Sequence, residues 1–355
     1  MKVLVMHAGQ DAQDYYRVRE PIGVIRDAGL GIEIETTRGI ETMVRPTTDG
    51  GEVYAADARG ADVVVLQLPK TVAMLQTIRV LQADGVAVVV EMDDLLSGVP
   101  YGTPSHDVLV RKGMARRAAE CAREADLVTT TTPALLQEYA PHRRGMVVPN
   151  AVPRRVAELP PAYERDPEVA TIGWSGSVFF HPYDLQEVGS GLQQALDRTR
   201  GRSRFTVLGQ KGDARTKMRL SEEPGEVPWI DGIDAYVTAV GETFDIGIAP
   251  VRIDRFNTCK SWLKALEYAA RGVWFARSPS AEYERLGLGW RARSAKDWTK
   301  GLTVAVEDAD RRRAEAERNR EVVLARHLTE HTAEHWVAAW RAALDHRART
   351  RRRPA

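Results

Sequence analysis

Apolar residues in this chain gather in short runs, separated by stretches in which they recur every three or four positions. In the first half the runs at residues 3–7, 63–68, 86–91, 127–131 and 146–148 read as strands, and residues 31–35 add another. Between them, residues 16–28, 71–83, 108–124 and 133–139 carry helical spacing. Gly29 and Gly85 mark two helix ends, and Thr132 before Pro133 reads as an N-cap. Runs of Val, Leu and Ile alternating with helices predict a parallel sheet, because such strands are buried on both faces.

The second half repeats the pattern. Residues 170–174, 205–208 and 244–250 read as strands, with a short one at 227–230 and another apolar run after Gly272. Helices are expected at 183–198 and 235–242, and another opens near Lys260-Ser261. Residues 298–326 form a long charged helical region. Residues 332–346 read as an amphipathic helix with Trp336 and Trp340 one turn apart. Residues 153–168 (PRRVAELPPAYERDPE) are rich in Pro and charge, lack periodicity, and read as a linker. The expected architecture is α/β, with two similar Rossmann-like domains at 1–152 and 169–329.

A length of 355 residues agrees with two domains. Fifty basic and 49 acidic residues leave a formal net charge of +1. That gives no global field for nucleic acid or a membrane surface. The only cysteines, Cys121 and Cys259, offer neither a disulfide framework nor a cysteine-rich zinc site. No apolar run approaches the roughly 20 residues that span a bilayer. The opening MKVLVMHAGQ reads as a core strand and not as a signal peptide. A soluble, cytoplasmic protein is expected.

Several segments carry candidate chemistry. Lys260, Ser261, Lys264 and Glu267 follow an apolar strand and a polar loop. On a helix, Lys260 and Lys264 share a face, with Glu267 one turn on; this is either a salt-bridged surface or a site for phosphates and a ribose. Gly173-Trp174-Ser175-Gly176-Ser177 lies between a strand and a helix. Its small residues suit either a tight turn or backbone N–H groups cradling a phosphate at a helix N-terminus. Glu91-Met92-Asp93-Asp94 ends a strand and offers carboxylates for a metal, a base or acceptor hydroxyls, or merely a helix cap. His106 stands in a loop, either as a further candidate or merely solvated. Arg17 and Arg19, after the first strand, either face a cleft or lie on the surface. The basic end HRARTRRRPA reads as a solvated tail over 349–355.

Three segments taken together resemble the GT-B glycosyltransferases, specifically glycosyl transferases group 1. They are ADLVTTTTPALLQEY with MVVPNAVP, TIGWSGS with its following DL, and FDIGIAPVRIDRFNTCKSWLKALEYAARGVWFARS. DYYRVREP and EMDDLL resemble a subgroup from bacterial surface-polysaccharide clusters and phage genomes. The resemblance implies two Rossmann-like domains facing a cleft, with a C-terminal helix at 330–348 crossing back to the first domain. It implies transfer of a hexosyl group from a nucleotide diphosphate sugar, of UDP or GDP type, to an acceptor hydroxyl. A glycan, small-molecule or protein acceptor fits, with no nucleic acid and with peripheral membrane contact allowed. By position Glu267 matches the ribose-binding glutamate, whereas the family's other glutamate falls at Cys259. The family's basic pair after the first strand of the C-terminal domain is absent, and only His181 stands there. Lys260, Lys264 or Arg255 would then supply the charge, with Ser175, Gly176, Ser177 and Ser261 completing the donor side. Asp93 or Asp94 would orient or deprotonate the acceptor, with His106 a further candidate. No metal or other cofactor is required on this reading. A nucleotide-sugar-binding protein without catalysis and a nucleotide-sugar epimerase are the alternatives.

Overall fold

The first half of the chain contributes β1 (Lys2–Met6), β2 (Glu33–Thr37), β3 (Thr42–Thr47), β4 (Gly50–Ala56), β5 (Val63–Gln67), β6 (Ala87–Met92), β7 (Leu127–Thr130) and β8 (Gly145–Val147). These come from a computed structural model that describes residues 1–9, 11–48 and 50–351. Six of the strands form one parallel sheet in the order β2-β1-β5-β6-β7-β8. Its central strands are apolar on both faces because both are covered. Val3, Val5, Val63, Val65 and Val89 join one apolar cluster. Leu4, Val64, Leu66, Val88 and Val90 join the other, as the two-residue period of a strand requires.

The last helix, Ala333–Arg351, covers the first of those faces. Trp336, Val337, Trp340 and Ala343 are buried with Val3, Val5 and Val65. The Arg17 guanidinium lies 4.6 Å from the centre of the Trp336 ring. This helix thus packs on the sheet that contains β1.

A second parallel sheet is built from β9 (Ala170–Ser177), β10 (Ser203–Gln210), β11 (Gly225–Val227), β12 (Ile246–Ala249), β13 (Trp274–Arg277) and β14 (Trp290–Arg291). Its order is β11-β10-β9-β12-β13-β14. The fold is therefore α/β with two parallel-sheet domains, as the sequence pattern predicts.

Several elements differ from expectation. The antiparallel β3–β4 hairpin was not foreseen, and Met43, Val44 and Tyr54 on it are exposed. The helix expected at 183–198 is a 3₁₀ turn, Asp184–Val188, followed by a helix, Gly191–Arg198. Gly189, at φ +59°, separates them. The region 298–326 is two helices, Ala295–Glu307 and Ala309–Arg326, and the Asp308 side chain caps the second. Residues 153–168 contain a short helix, Arg154–Ala157, and bury Val156, Ala157 and Ala162. Arg271 donates to Val156 O at 3.1 Å, and Arg320 donates to Ala157 O at 2.7 Å. Of the basic tail, residues 349–351 continue the last helix, and 352–355 lie outside the described residues.

The chain passes between the domains at two adjacent places. Val152 N donates to His327 O at 3.0 Å, and Thr329 N donates to Val152 O at 2.9 Å.

Candidate active site

Each sheet has a point where neighbouring connections leave in opposite directions, between β1 and β5 and between β9 and β12. Such points open a crevice at the carboxyl ends of the strands. Here the two crevices face one another. A cavity of about 220 Å³ is lined by Gln13, Asp93 and Asp94 of the first domain and by His181, Lys260 and Lys264 of the second. A larger cavity of about 680 Å³ adjoins it and shares Gln13, Asp94, His181 and Lys260.

The first domain supplies acids. Asp93 Oδ1 accepts from Gln13 Nε2 at 3.1 Å. Burial, reinforced by the neighbouring Asp94, pushes the Asp93 carboxyl up to about 8. Burial also raises Asp94, while Lys260 opposes the shift. At neutral pH Asp93 therefore keeps a proton. Glu91, two residues earlier on β6, is interior. One of its oxygens accepts from Arg17 Nε at 2.6 Å and the other from the Thr129 hydroxyl. Arg17 also donates to Val148 O at 2.7 Å and to Asn150 Oδ1 at 3.0 Å. Arg17 thus neutralises a core carboxylate and does not face the cleft. His106 is not brought to the acids: it lines neither cavity, and its ring meets Tyr101 edge-on at 5.5 Å.

The second domain supplies cations. Its helix begins at Leu263, not at Lys260. Lys260 instead ends the short helix Arg255–Cys259 in an extended conformation. Lys264 Nζ donates to Ser175 O and lies 5.1 Å from the Trp174 ring centre. Burial, with Lys260 close by, pushes the Lys264 ammonium down to about 8. Lys260 Nζ lies 4.7 Å from the centre of the Phe256 ring. Among the described residues neither lysine has an ion-pair partner; rings and a carbonyl hold them.

His181 stands between the lysines and the larger cavity. Its Nδ1 lies 2.7 Å from Asp184 Oδ2, and its ring meets Trp174 edge-on. Asp184 is itself fixed by Arg252 N at 2.9 Å and Asn257 Nδ2 at 2.8 Å. Burial, then Lys260, pushes the imidazole down to about 4, so the ring is neutral at pH 7. With Nδ1–H turned to Asp184, Nε2 carries a lone pair. The sequence showed His181 only as a lone base where a cationic pair was expected.

Ser175, Gly176 and Ser177 do not form a turn before a helix. The strand β9 runs through Ser177, paired with Gly209 and Gln210, and a 3₁₀ turn, Val178–Phe180, follows. Ser177 Oγ donates to Gln210 Oε1 at 2.7 Å. Gly176 has φ +134°, and a Cβ there would lie 3.3 Å from the Trp174 ring. Ser175 acts through Lys264, which its carbonyl holds.

Arg255 is also placed elsewhere. It is exposed, makes two bonds to Glu138, at 2.8 and 2.6 Å, and lines neither cavity. The helix Arg255–Cys259 clasps the first domain. Phe256 and Cys259 join the first domain's apolar cluster, and Thr132 Oγ1 donates to Cys259 O at 2.9 Å. A carboxylate at Cys259 would enter that cluster and not the cleft.

Ser261 Oγ accepts from Asn150 Nδ2 at 2.8 Å, across the domains. Glu267 is buried, with Oε1 accepting from Tyr16 OH at 2.7 Å and Oε2 from Tyr236 OH at 3.4 Å. Burial raises its carboxyl despite these donors. Gln13 and Tyr236 carried no sequence signal that singled them out, and Asn150 stood only inside the MVVPNAVP segment, with no role assigned. Each acts through a partner more than thirty positions away.

Among the described residues, no group of three or more His, Cys, Asp or Glu is placed to hold a metal ion. No helix among them is long and apolar enough to cross a membrane. No family model matches the sequence, and no curated protein matches it. Solved structures do match. Anabaena HepE, in complex with UDP and glucose, superposes with a TM-score of 0.61 at 12% identity, over 95% of this chain and 98% of HepE. The α,α-trehalose 6-phosphate synthase of Burkholderia multivorans gives 0.58 at 13%, over 100% and 99%. S. aureus TarM gives 0.57 at 10%, over 78% of this chain and 55% of TarM. The chain has the GT-B fold. At these identities the likeness concerns the fold, and the chemistry rests on the cleft.

Proposed function

We propose that the protein transfers a hexosyl group from a nucleoside-diphosphate sugar to an acceptor hydroxyl. The observation that carries this reading is the pair of lysines without ion-pair partners, Lys260 and Lys264, set across a narrow cleft from Asp93 and Asp94. Two cations with no carboxylate partner suit a diphosphate. The solved structure of HepE with UDP and glucose supports a UDP sugar in a cleft of this kind. A cytoplasmic setting agrees with such a donor.

The anomeric carbon–oxygen bond breaks, and its electron pair leaves on the diphosphate. Lys260 and Lys264 stabilise that charge in a site with little water. On this reading they do so without a metal. The acceptor oxygen bonds to the anomeric carbon. Its proton passes to Asp94, acting as a carboxylate beside Lys260, or to Nε2 of His181, which Asp184 orients. Asp93, protonated, donates a hydrogen bond.

Thermal shift and calorimetry with UDP and GDP test this. Binding at a hundredfold excess over Kd stabilises by about 2.7 kcal/mol, and Lys260→Ala weakens it at least tenfold. If neither diphosphate raises the melting temperature, the reading fails. Cys259 in place of a carboxylate, and Glu267 closed by two tyrosines, favour one alternative: a binding protein without turnover. Diphosphate binding without release of sugar to any acceptor would establish that alternative.

A further inference from the structure

We propose that the 680 Å³ cavity binds an apolar group on the acceptor, an alkyl chain or flat ring attached near the hydroxyl that receives the sugar. This rests on the transfer reading above and narrows its acceptor.

The walls set the chemistry. Leu96, Val99, Val108, Leu109 and Met114 come from the first domain, and Phe256 comes from the second. The volume lies within the roughly 300–1,000 Å³ of small-molecule sites, whose walls are mostly apolar. The cavity is continuous with the catalytic cleft through Asp94, His181 and Lys260. A hydroxyl on a group seated there would meet the Asp94 carboxylate and His181 Nε2. At the mouth, Phe180 is 51% exposed and Val108 is 38% exposed, and both face the cavity. Apolar side chains left open beside an apolar hollow mark a surface that a ligand covers.

The occupant is a bounded molecule and not a bilayer. The turn Asp107–Arg111 that carries Val108 also carries an exposed charge cluster. Arg111 lies 3.0 Å and Lys112 lies 3.7 Å from Asp107. Seating that turn among acyl chains would desolvate all three charges.

The test uses a matched pair, methyl and hexyl β-D-glucopyranoside, titrated calorimetrically into the full chain with UDP or GDP present. Each buried methylene adds about fourfold in affinity, so the hexyl compound should bind at least tenfold more tightly. Val108→Asp and Phe180→Ser should remove that preference, as should Ser105→Trp, which fills the cavity from another wall. All three should keep the diphosphate affinity and melting temperature. Equal binding of the two glucosides overturns the inference. So does a hexyl preference that survives all three substitutions, or avid binding to anionic phospholipid vesicles that Ser105→Trp leaves unchanged. Loss of diphosphate binding in the unaltered protein would instead sink the transfer reading, and the glucoside comparison without nucleotide would still decide this one.

Discussion

The Tyr16 hydroxyl of the first domain donates to the Glu267 carboxylate of the second at 2.7 Å, and both side chains are buried. Tyr236 holds the other carboxylate oxygen. Glu267 lines neither cavity, so on the transfer reading a ribose would have to displace the Tyr16 hydroxyl to bond it.

Tyr16→Phe should therefore have two opposite effects. The ligand-free protein loses a hydrogen bond to a buried carboxyl group, worth about 1.5–3 kcal/mol if that group is ionised, and its melting temperature falls. Diphosphate binding, freed of a competitor, tightens several-fold. A weaker affinity for UDP or GDP in calorimetry would show that Tyr16 orients Glu267 for the ligand and does not block it.

Lys264 sets a pH limit. Its ammonium is held near 8, below the usual lysine value, chiefly by burial. A diphosphate needs it charged, so affinity should fall as pH rises from about 7 to about 9. The stability effect has the other sign. The buried charge burdens the fold below about 8, and that burden is relieved between about 8 and the ordinary lysine value near 10.4. Lys264→Met should lower diphosphate affinity at least tenfold at pH 7, flatten its pH profile, and raise the melting temperature. Unchanged affinity at pH 7 would remove Lys264 from the site.

Asp93 tests the acidic wall. Its folded carboxyl stays protonated up to about 8, whereas in the unfolded chain it ionises near 3.9. The folded state thus holds the extra proton between those values, and stability falls as pH rises through that window. Asp93→Asn should raise the melting temperature at pH 7 by several degrees and leave it little changed at pH 4. Equal melting temperatures at pH 7 would place an ionised carboxylate there.

The strands were legible where burial is two-sided. Val63 to Leu66 and Val88 to Val90 are apolar without interruption because both faces of the sheet are covered. The β3–β4 hairpin escaped notice because it is largely exposed and shows no alternation of burial. The break at Gly189 was hidden because flanking apolar residues on both sides keep helical spacing. Within the site, Asp94, Lys260 and Lys264 could be read from charge at the end of a strand or the start of a helix. Arg255 could not be excluded, because its partner Glu138 is distant in sequence. The same holds for Ser177, whose fate depends on Gln210. Periodicity reports which residues are buried, not which domain buries them, and Phe256 and Cys259 are buried by the other one.

The paired crossings at Val152 and Leu328 act as the spine of a book. The two hydrogen bonds of a parallel bridge tie them together, while Arg271 and Arg320 fasten the chain just beyond. Sliding or twisting one half against the other would tear that binding, whereas opening about it would not. Opening about that spine would have to break the bonds that fasten the facing edges, Tyr16 to Glu267 and Arg255 to Glu138, and draw Phe256 out of the first domain's core.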